Sequence, residues 1–191
     1  ELRGPTTTVV THDRPVELDA LYLVGDRHSE RDHLGPLLLD GRVNPEGSRF
    51  DSDEVKGTTT SGHRGRPRRR FRTPRRVEVI ERLDDEDLLP AITFIFSRAG
   101  CDEAAAACRD AGLRLTSIEE ARRIREIAEE RVGELEDADL DVLDYDLWVE
   151  TLSAGIASHH AGLVPAYREA VEQCFVEGLV KAVFATETLA L

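Results

Sequence analysis

Hydrogen-bonding residues follow three apolar runs of this chain, at the points where each run gives way to a turn. They are Ser97 and Arg98, His160 and Gly162, and Thr186 and Thr188. Backbone N–H groups at a helix start carry partial positive charge and bind phosphate, and hydroxyl and guanidinium groups add donors. Together these groups could follow a sugar-phosphate chain, RNA or DNA, without reading its bases.

Each of these residues also has a plainer interpretation when it is taken alone. Ser97 and Thr188 could cap helices, Arg98 could pair with an acidic side chain, and Gly162 could satisfy only a turn. The nucleic-acid hypothesis therefore requires that the three places meet in the fold.

Other chemistries find little support in the residue pattern. The neighbouring His159 and His160 would point to opposite faces of a strand, and no Cys-x-x-Cys is present, so we expect no metal site. Cys101, Cys108 and Cys174 have no evident base partner and are predicted to be buried structural thiols. The sequence contains no Gly-x-x-x-x-Gly-Lys-Ser/Thr, so this segment cannot by itself hold a nucleotide in the P-loop manner.

Alternating strands and helices would position the three places. Residues 91–96 and 179–185 are apolar almost throughout, which predicts strands in the middle of a parallel sheet that is covered on both sides. Residues 156–159 predict a shorter strand. Helices are predicted over 77–89, 101–111, 118–132, around 140–147, and from Pro165 to Gly178. This order is typical of a doubly wound α/β domain, which binds ligands at the carboxyl ends of its strands.

One helix carries a specific start signal. Ser117 and Glu120 match a capping box. Ile118, Ala121 and Ala128, with Ile124 or Arg125 between them, are spaced to form one buried stripe.

The first 76 residues are harder to interpret. Residues 6–11 and 16–24 favour strands, whereas 27–73 is expected to be mostly loop, with 37–39 as a short strand or anchor. Eight arginines and no acidic residue lie between Arg64 and Arg76. Such a basic loop could hold a polyanion in a salt-sensitive manner, or it could be an exposed insertion that offsets the surrounding acid.

The composition limits the class of protein. The 191 residues carry a net charge of -13, which argues against nucleic-acid binding by bulk charge, so any such site must be local. No apolar run approaches the roughly 20 residues that cross a bilayer, so we expect no membrane association. The chain has no secretory signal and only 3 cysteines, which favours a reducing, cytoplasmic location. The absence of methionine suggests a segment of a longer protein.

Several strings resemble one known family in the correct order. Residues Gly155-Ile-Ala-Ser-His-His-Ala-Gly-Leu-Val-Pro165, then Arg168-Glu169, then Phe175-x-Glu-Gly-Leu-Val-Lys-Ala-Val-Phe-Ala-Thr-Glu-Thr-Leu-Ala190, closely resemble the second RecA-like domain of superfamily-2 DExH helicases of the superkiller, exosome-associated type. Phe94-Ile-Phe-Ser-Arg-x-x-Cys101 is similar to motif IV of that family. Arg14-Pro15-Val16 is similar to the point where the chain leaves the first RecA-like domain.

The resemblance implies a domain division and a function. Residues 1–25 would lead in from the first RecA-like domain, 26–76 would be a variable, partly disordered insertion with the arginine-rich loop, and 77–191 would be a second RecA-like domain truncated at its carboxyl end. The parent protein would be an ATP-dependent RNA helicase that clamps ATP between two RecA-like domains and moves along single-stranded RNA. ATP and Mg²⁺ would be bound mainly by parts of the parent outside this segment.

The resemblance also implies roles for single residues. Thr186 would be the motif V threonine that contacts a phosphate, with Thr188 beside it, and Arg168 would contact the strand or brace the loop. His160 and Gly162 would belong to the preceding motif. Ser97 and Arg98 would take the motif IV backbone role.

The segment departs from the family pattern in ways that limit it. Neither the Gly-x-x-x-Pro continuation nor the later Gln-x-x-Gly-Arg-x-Gly-Arg motif is present, and the resemblance implies no catalytic residue within it. Two alternatives remain open. One is a non-catalytic nucleic-acid-binding module that acts through the arginine-rich loop, and the other is a different doubly wound enzyme such as a sugar-nucleotide transferase.

Overall fold

The computed structural model describes residues 18–29, 32–52, 70–133 and 135–187. The chain divides into two compact units, Glu1–Thr73 and Pro74–Leu191. The first unit contains strands β1 (Leu21–Asp26), β2 (His33–Pro36), β3 (Leu38–Leu39), β4 (Arg42–Val43) and β5 (Phe71–Arg72), with helix α1 (Pro45–Ser52). The strand expected over 6–11 lies outside the described residues.

The expectation that residues 27–73 are mostly loop is wrong for their described part. Strand β1 pairs antiparallel with both β2 and β5. The ring of Phe50 lies 5.5 Å from that of Tyr22, 5.1 Å from that of His33 and 4.8 Å from that of Phe71. These strands are two to six residues long, which is too short for a hydrophobic period, and their pairing depends on residues distant in sequence.

One arginine of the basic run is part of this small unit. Asp26 is 3% exposed, and both of its oxygens lie 3.1 Å from Nε of Arg70. Nη2 of Arg70 donates to Oδ2 at 2.7 Å. The Arg70 side chain holds the pKa of Asp26 well below its usual range.

The second unit is an α/β sandwich, which confirms the predicted fold class. Its elements are α2 (Arg76–Asp85), β6 (Ala91–Phe94), α3 (Arg98–Asp110), α4 (Ile118–Val132), α5 (Asp137–Val142), α6 (Tyr145–Ser153), β7 (Ile156–His159), α7 (Pro165–Val176) and β8 (Ala182–Ala185). The strands are parallel, with β8 between β6 and β7.

Helices cover both sides of this sheet because its side chains alternate. Phe184 and Ile156 pack with residues of α2 and α3 in one buried cluster. Val183 and Ala157 pack with residues of α4, α6 and α7 in the other. We call these the α3 side and the α7 side of the sheet.

Local sequence signals explain where the helices begin and end. The hydroxyl of Ser97 accepts a hydrogen bond from the Gly100 N–H, and Ser117 forms the predicted capping box with Glu120. Pro165 occupies the first turn of α7. Gly178, with φ of 72°, follows that helix in a conformation that side chains other than glycine rarely adopt.

Two packing predictions were wrong. Strand β6 lies at an edge of the three-stranded sheet, and its Ile92 and Phe94 are 39% and 53% exposed, whereas all four residues of β8 are buried. An apolar run indicates that both faces of a strand are apolar, but it does not determine which strands lie next to one another in the sheet. Ile118 is 85% exposed; the α4 residues that are buried are Ile124, Ile127, Ala128 and Val132.

Candidate nucleic-acid interface

The carboxyl ends of the three parallel strands lie level with one another. Ala185 of β8 is in register with Phe94 of β6 and with His159 of β7. The pairing extends one residue further, because the Thr186 N–H donates to the His159 carbonyl at 3.1 Å. The turns that contain Ser97, His160 and Thr186 therefore all leave the sheet at the same end of the strands, which we call the carboxyl edge of the sheet.

The first turn of α3 brings donors to this edge. Arg98 is the first residue of α3, and the first turn of that helix has no acidic residue. Its N-terminus therefore keeps the partial positive charge that favours a bound anion. Ser97 serves as the cap, as its plainer interpretation anticipated, and both Ser97 and Arg98 are exposed.

The turn after β7 is held by a hydrogen-bond network on the α3 side. Nε2 of His160 lies 3.0 Å and 3.1 Å from the two carboxylate oxygens of Asp102. Nδ1 of His160 accepts from the Gly162 N–H at 3.1 Å, and the Ser158 hydroxyl donates to Asp102 at 2.7 Å. A β-carbon added at Gly162 would lie 3.3 Å from Cδ of Arg98, so this turn and the start of α3 are in close contact.

Asp102 is the participant that sequence reasoning missed. It lies four residues after Arg98, so that both occupy the same face of α3. That spacing is visible in the sequence, but its meaning depends on α3 beginning at Arg98, three residues before the predicted start.

Arg168 reaches the same edge from the α7 side. Nε of Arg168 lies 3.9 Å from the carboxylate of Glu172, and that carboxylate lies 3.0 Å from Nε2 of His159. His159 is 3% exposed, and its Nδ1 is buried without a hydrogen-bond partner among the described residues. His159 and His160 thus face opposite sides, as the strand pattern predicted.

The remaining site residues are the two threonines of the β8 turn. Thr186 is half-buried directly after β8. Thr188 lies outside the described residues. Of the seven residues that the sequence singled out, six are described, and all six belong to the three turns or to the helix that follows one of them.

A cleft lies beside the His160 turn. It has a volume of about 390 Å³ and is bounded by α3, α6, β7, the turn itself and the first part of α7. The rings of Trp148 and Tyr167 stack at 3.8 Å beside it. The Tyr167 hydroxyl is buried and has no hydrogen-bond partner within the described ranges. Burial raises the pKa of Tyr167 to about 12. No pattern in the sequence indicates this cleft, since its walls come from five separate parts of the fold.

The cysteines lie in the core, as predicted. Cys101, Cys108 and Cys174 are free and fully buried. Burial raises the pKa of Cys101, and it raises the pKa of Cys108 and of Cys174 to about 11. The described part of the chain contains no cluster of three or more His, Cys, Asp or Glu side chains placed to hold a metal ion. Among the same residues, no helix is both long enough and apolar enough to cross a membrane.

Comparison with known proteins gives helicases along the whole chain. "Probable helicase HelY" of Mycobacterium tuberculosis is 49% identical over 199 residues, which cover 100% of this chain and 22% of that protein. "Exosome RNA helicase MTR4" of Mus musculus is 32% identical over 200 residues, covering 99% of this chain and 18% of that protein. "Antiviral helicase SKI2" of Saccharomyces cerevisiae is 33% identical over 114 residues, covering 60% of this chain and 9% of that protein. No family model matches.

A parallel sheet with helices on both sides and donors at its carboxyl edge defines an α/β domain of the RecA-like class. The matches to helicases along the full chain identify it further. The chain belongs to the superfamily-2 DExH helicases as a segment of such a protein, and it spans about a fifth of the length of the first relatives named above.

Proposed function

We propose that this chain is the second RecA-like domain of an ATP-dependent RNA helicase and that it grips the phosphate backbone of a single strand. The observation that carries the proposal is the level register of β6, β7 and β8 at their carboxyl ends. It aligns the turns of Ser97, His160 and Thr186 along one edge, as a track for a backbone requires.

The donors at this edge suit phosphate oxygens. Exposed N–H groups at the α3 N-terminus and the hydroxyl of Thr186 would donate to them, and Arg98 would add charge. No hydrogen bond or ion pair holds the Arg98 guanidinium within the described ranges. Such donors would contact phosphate oxygens and not base edges, so the grip would be largely independent of sequence and would weaken with salt.

The described residues of this chain would not form an ATP site by themselves. The sequence has no P-loop, and the donors at the sheet edge are spread along three turns and do not form a cradle. ATP and Mg²⁺ would therefore be bound mainly elsewhere in the parent protein, where this domain would complete the site.

The arginine-rich loop supports a second candidate function less well. Within its described part, Arg70 is paired with Asp26 and Arg75 with Glu78 at 2.9 Å. These two arginines therefore serve local structure, and they are less available to a polyanion than the sequence suggested.

The substitution Thr186→Ala in the parent protein tests the proposal. We expect RNA-stimulated ATPase activity to fall about tenfold, because a hydrogen bond to a charged phosphate is lost. Basal ATPase activity should stay within about twofold, since the contact forms only with RNA. Thr93→Ala, in the interior of β6, is the matched control and should leave both rates unchanged.

Equal losses of basal and stimulated activity would count against a backbone contact at Thr186. A deletion of residues 62–76 separates the two candidate functions. It should leave most RNA binding intact in the parent, whereas its abolition of binding would favour the module that acts through the arginine-rich loop.

A further inference from the structure

The His160 turn depends on a carboxylate that the motifs of this chain do not include. We propose that Asp102 is a positioning residue for nucleic-acid binding, because it fixes the tautomer of His160 and thereby the closed form of the His160–Gly162 turn. This inference rests on the function proposed above and adds a residue to the same site.

The two contacts of the His160 ring require different states of its two nitrogens. The backbone N–H of Gly162 can only donate, so Nδ1, at 3.1 Å, must present a lone pair. A carboxylate accepts, so Nε2, at 3.0 Å and 3.1 Å from the Asp102 oxygens, must carry the proton. The ring is therefore neutral, with its proton on the Asp102 side.

Burial makes this assignment consequential. His160 is only 5% exposed, so its two ring nitrogens are shielded from water in the closed turn, while the Asp102 side chain is 53% exposed. If the proton moved to Nδ1, that atom would face the Gly162 N–H donor to donor, and the turn would have to open. A carboxylate at Nε2 prevents this, since it cannot donate in return.

Asp102 is itself anchored to both elements that meet here. It belongs to α3, and its Oδ1 accepts from the hydroxyl of Ser158 on β7 at 2.7 Å. Arg98 lies one turn earlier on the same helix, with its Cδ 3.3 Å from where a β-carbon of Gly162 would stand. Asp102 therefore sets both the shape of the turn and its position against the arginine that we assign to the phosphate track.

The substitution Asp102→Asn removes the constraint on the tautomer of His160 while nearly preserving the shape of the side chain at position 102. Its amide oxygen can accept from Nε2–H, but its NH₂ group can also donate to an unprotonated Nε2. Both tautomers of His160 then find a partner in the new amide, and only one of them accepts from Gly162.

The test measures ATPase activity of the full-length parent helicase as single-stranded RNA is titrated. For Asp102→Asn we expect the RNA concentration at half-maximal stimulation to rise about threefold to tenfold, the effect of one hydrogen bond. The maximal and basal rates should stay within about twofold, since the bound chemistry is unchanged. Asp102→Glu, which keeps a carboxylate, should recover most of the affinity.

A second pair of variants separates tautomer control from simple stabilisation. In His160→Asn, the side-chain oxygen would stand near the former Nδ1 and would accept from the Gly162 N–H without help from the side chain at position 102. Adding Asp102→Asn to that variant should therefore cost less than about twofold in RNA affinity, a non-additive result. Glu103→Gln, which removes a charge from the neighbouring exposed position, should change nothing.

Different results bear on different claims. Additive effects in the double variant, or an Asp102→Asn protein with unchanged RNA dependence, would overturn the role of Asp102 and leave the proposed function intact. A wild-type parent whose ATPase activity does not respond to RNA would overturn the proposed function itself. Loss of basal activity in Asp102→Asn without rescue by Asp102→Glu would mean that the residue serves folding, and it would also overturn the inference.

Discussion

The adjacent histidines His159 and His160 have different hydrogen-bond partners on the two sides of the parallel sheet. On the α3 side, both ring nitrogens of His160 have partners, and one of them is the N–H of the following turn. On the α7 side, His159 bonds Glu172 through Nε2 and leaves Nδ1 buried without a partner in the described structure. The ring of His160 on the α3 side thus bonds directly to the backbone of the turn, whereas the ring of His159 on the α7 side bonds only the side chain of Glu172, which lies beside Arg168.

The hydrophobic cores of the two sides are more alike than their polar edges. Each side encloses free thiols at 0% exposure, with Cys101 and Cys108 on the α3 side and Cys174 on the α7 side. Differences between the sides should therefore appear in function at the edge before they appear in stability.

Alkaline pH gives the largest expected effect and tests the likeness of the two cores. Burial raises the pKa of Cys108 and of Cys174 from 9.0 to about 11. A raised pKa means that the folded state holds the thiol proton more tightly, so this stabilisation is complete below pH 9 and is lost as the pH rises toward 11. As the pH rises from 8 to 10, the raised pKa of each thiol should lower the free energy of unfolding by about 1 kcal/mol.

The measurement is urea unfolding of the 191-residue chain at several pH values, monitored by the fluorescence of its single tryptophan, Trp148. Cys108→Ala and Cys174→Ala should each reduce the pH dependence by a similar amount, and comparison with the unsubstituted chain cancels the contribution of tyrosines. A reduction in only one variant would show that the two cores do not unfold together.

Much of this sheet could be predicted from the sequence. The apolar run that forms β8, the Ser117 capping box and Pro165 at the start of α7 each depend on neighbours within a few residues. Such local signals survive without knowledge of the fold.

The parts that could not be predicted depend on contacts between distant residues. Whether β6 or β8 is central is decided by pairing, since both are apolar. The role of Asp102 depends on its contact with His160, which lies 58 residues later in the sequence. Asp102 faces the His160 turn because α3 begins at Arg98. Five of the six described candidate residues follow predictable strand ends and Arg168 came from the family resemblance, whereas the side chains that contact them come from elsewhere in the chain.

Two glycines in the turns before and after α7 separate function at the carboxyl edge from stability. Gly162→Ala would place a β-carbon 3.1 Å from Nδ1 of His160 and 3.3 Å from Cδ of Arg98. We expect RNA affinity of the parent to fall about threefold, with a change in stability below about 0.5 kcal/mol. Gly178→Ala meets no atom within 4 Å, but its φ of +72° disfavours alanine. It should cost about 1 kcal/mol of stability and no RNA affinity.

Filter binding of RNA and urea unfolding of the same two variants provide the check. The expected result is a crossed pattern, in which each glycine matters for one property. If both variants lost affinity equally, the His160 turn would have no special role, and the contrast between the polar edges of the two sides would fail.

The smallest expected effect comes from neutralising the carboxylate on the α7 side. Glu172 is 48% exposed, and a glutamine in its place can still accept a hydrogen bond from Nε2 of His159. Glu172→Gln should therefore lower the free energy of unfolding by at most about 0.5 kcal/mol. The side chain of His159 makes no hydrogen bond to a turn in the described structure, so a change in its tautomer should not alter the shape of a turn. The loss of the Glu172 charge also releases Arg168, 3.9 Å away, toward a phosphate. RNA affinity should therefore stay equal or rise slightly, in contrast to the loss expected for Asp102→Asn. A fall in affinity as large as that of Asp102→Asn would mean that either carboxylate serves only the charge balance of the edge, and that the tautomer of His160 is not what distinguishes the two sides.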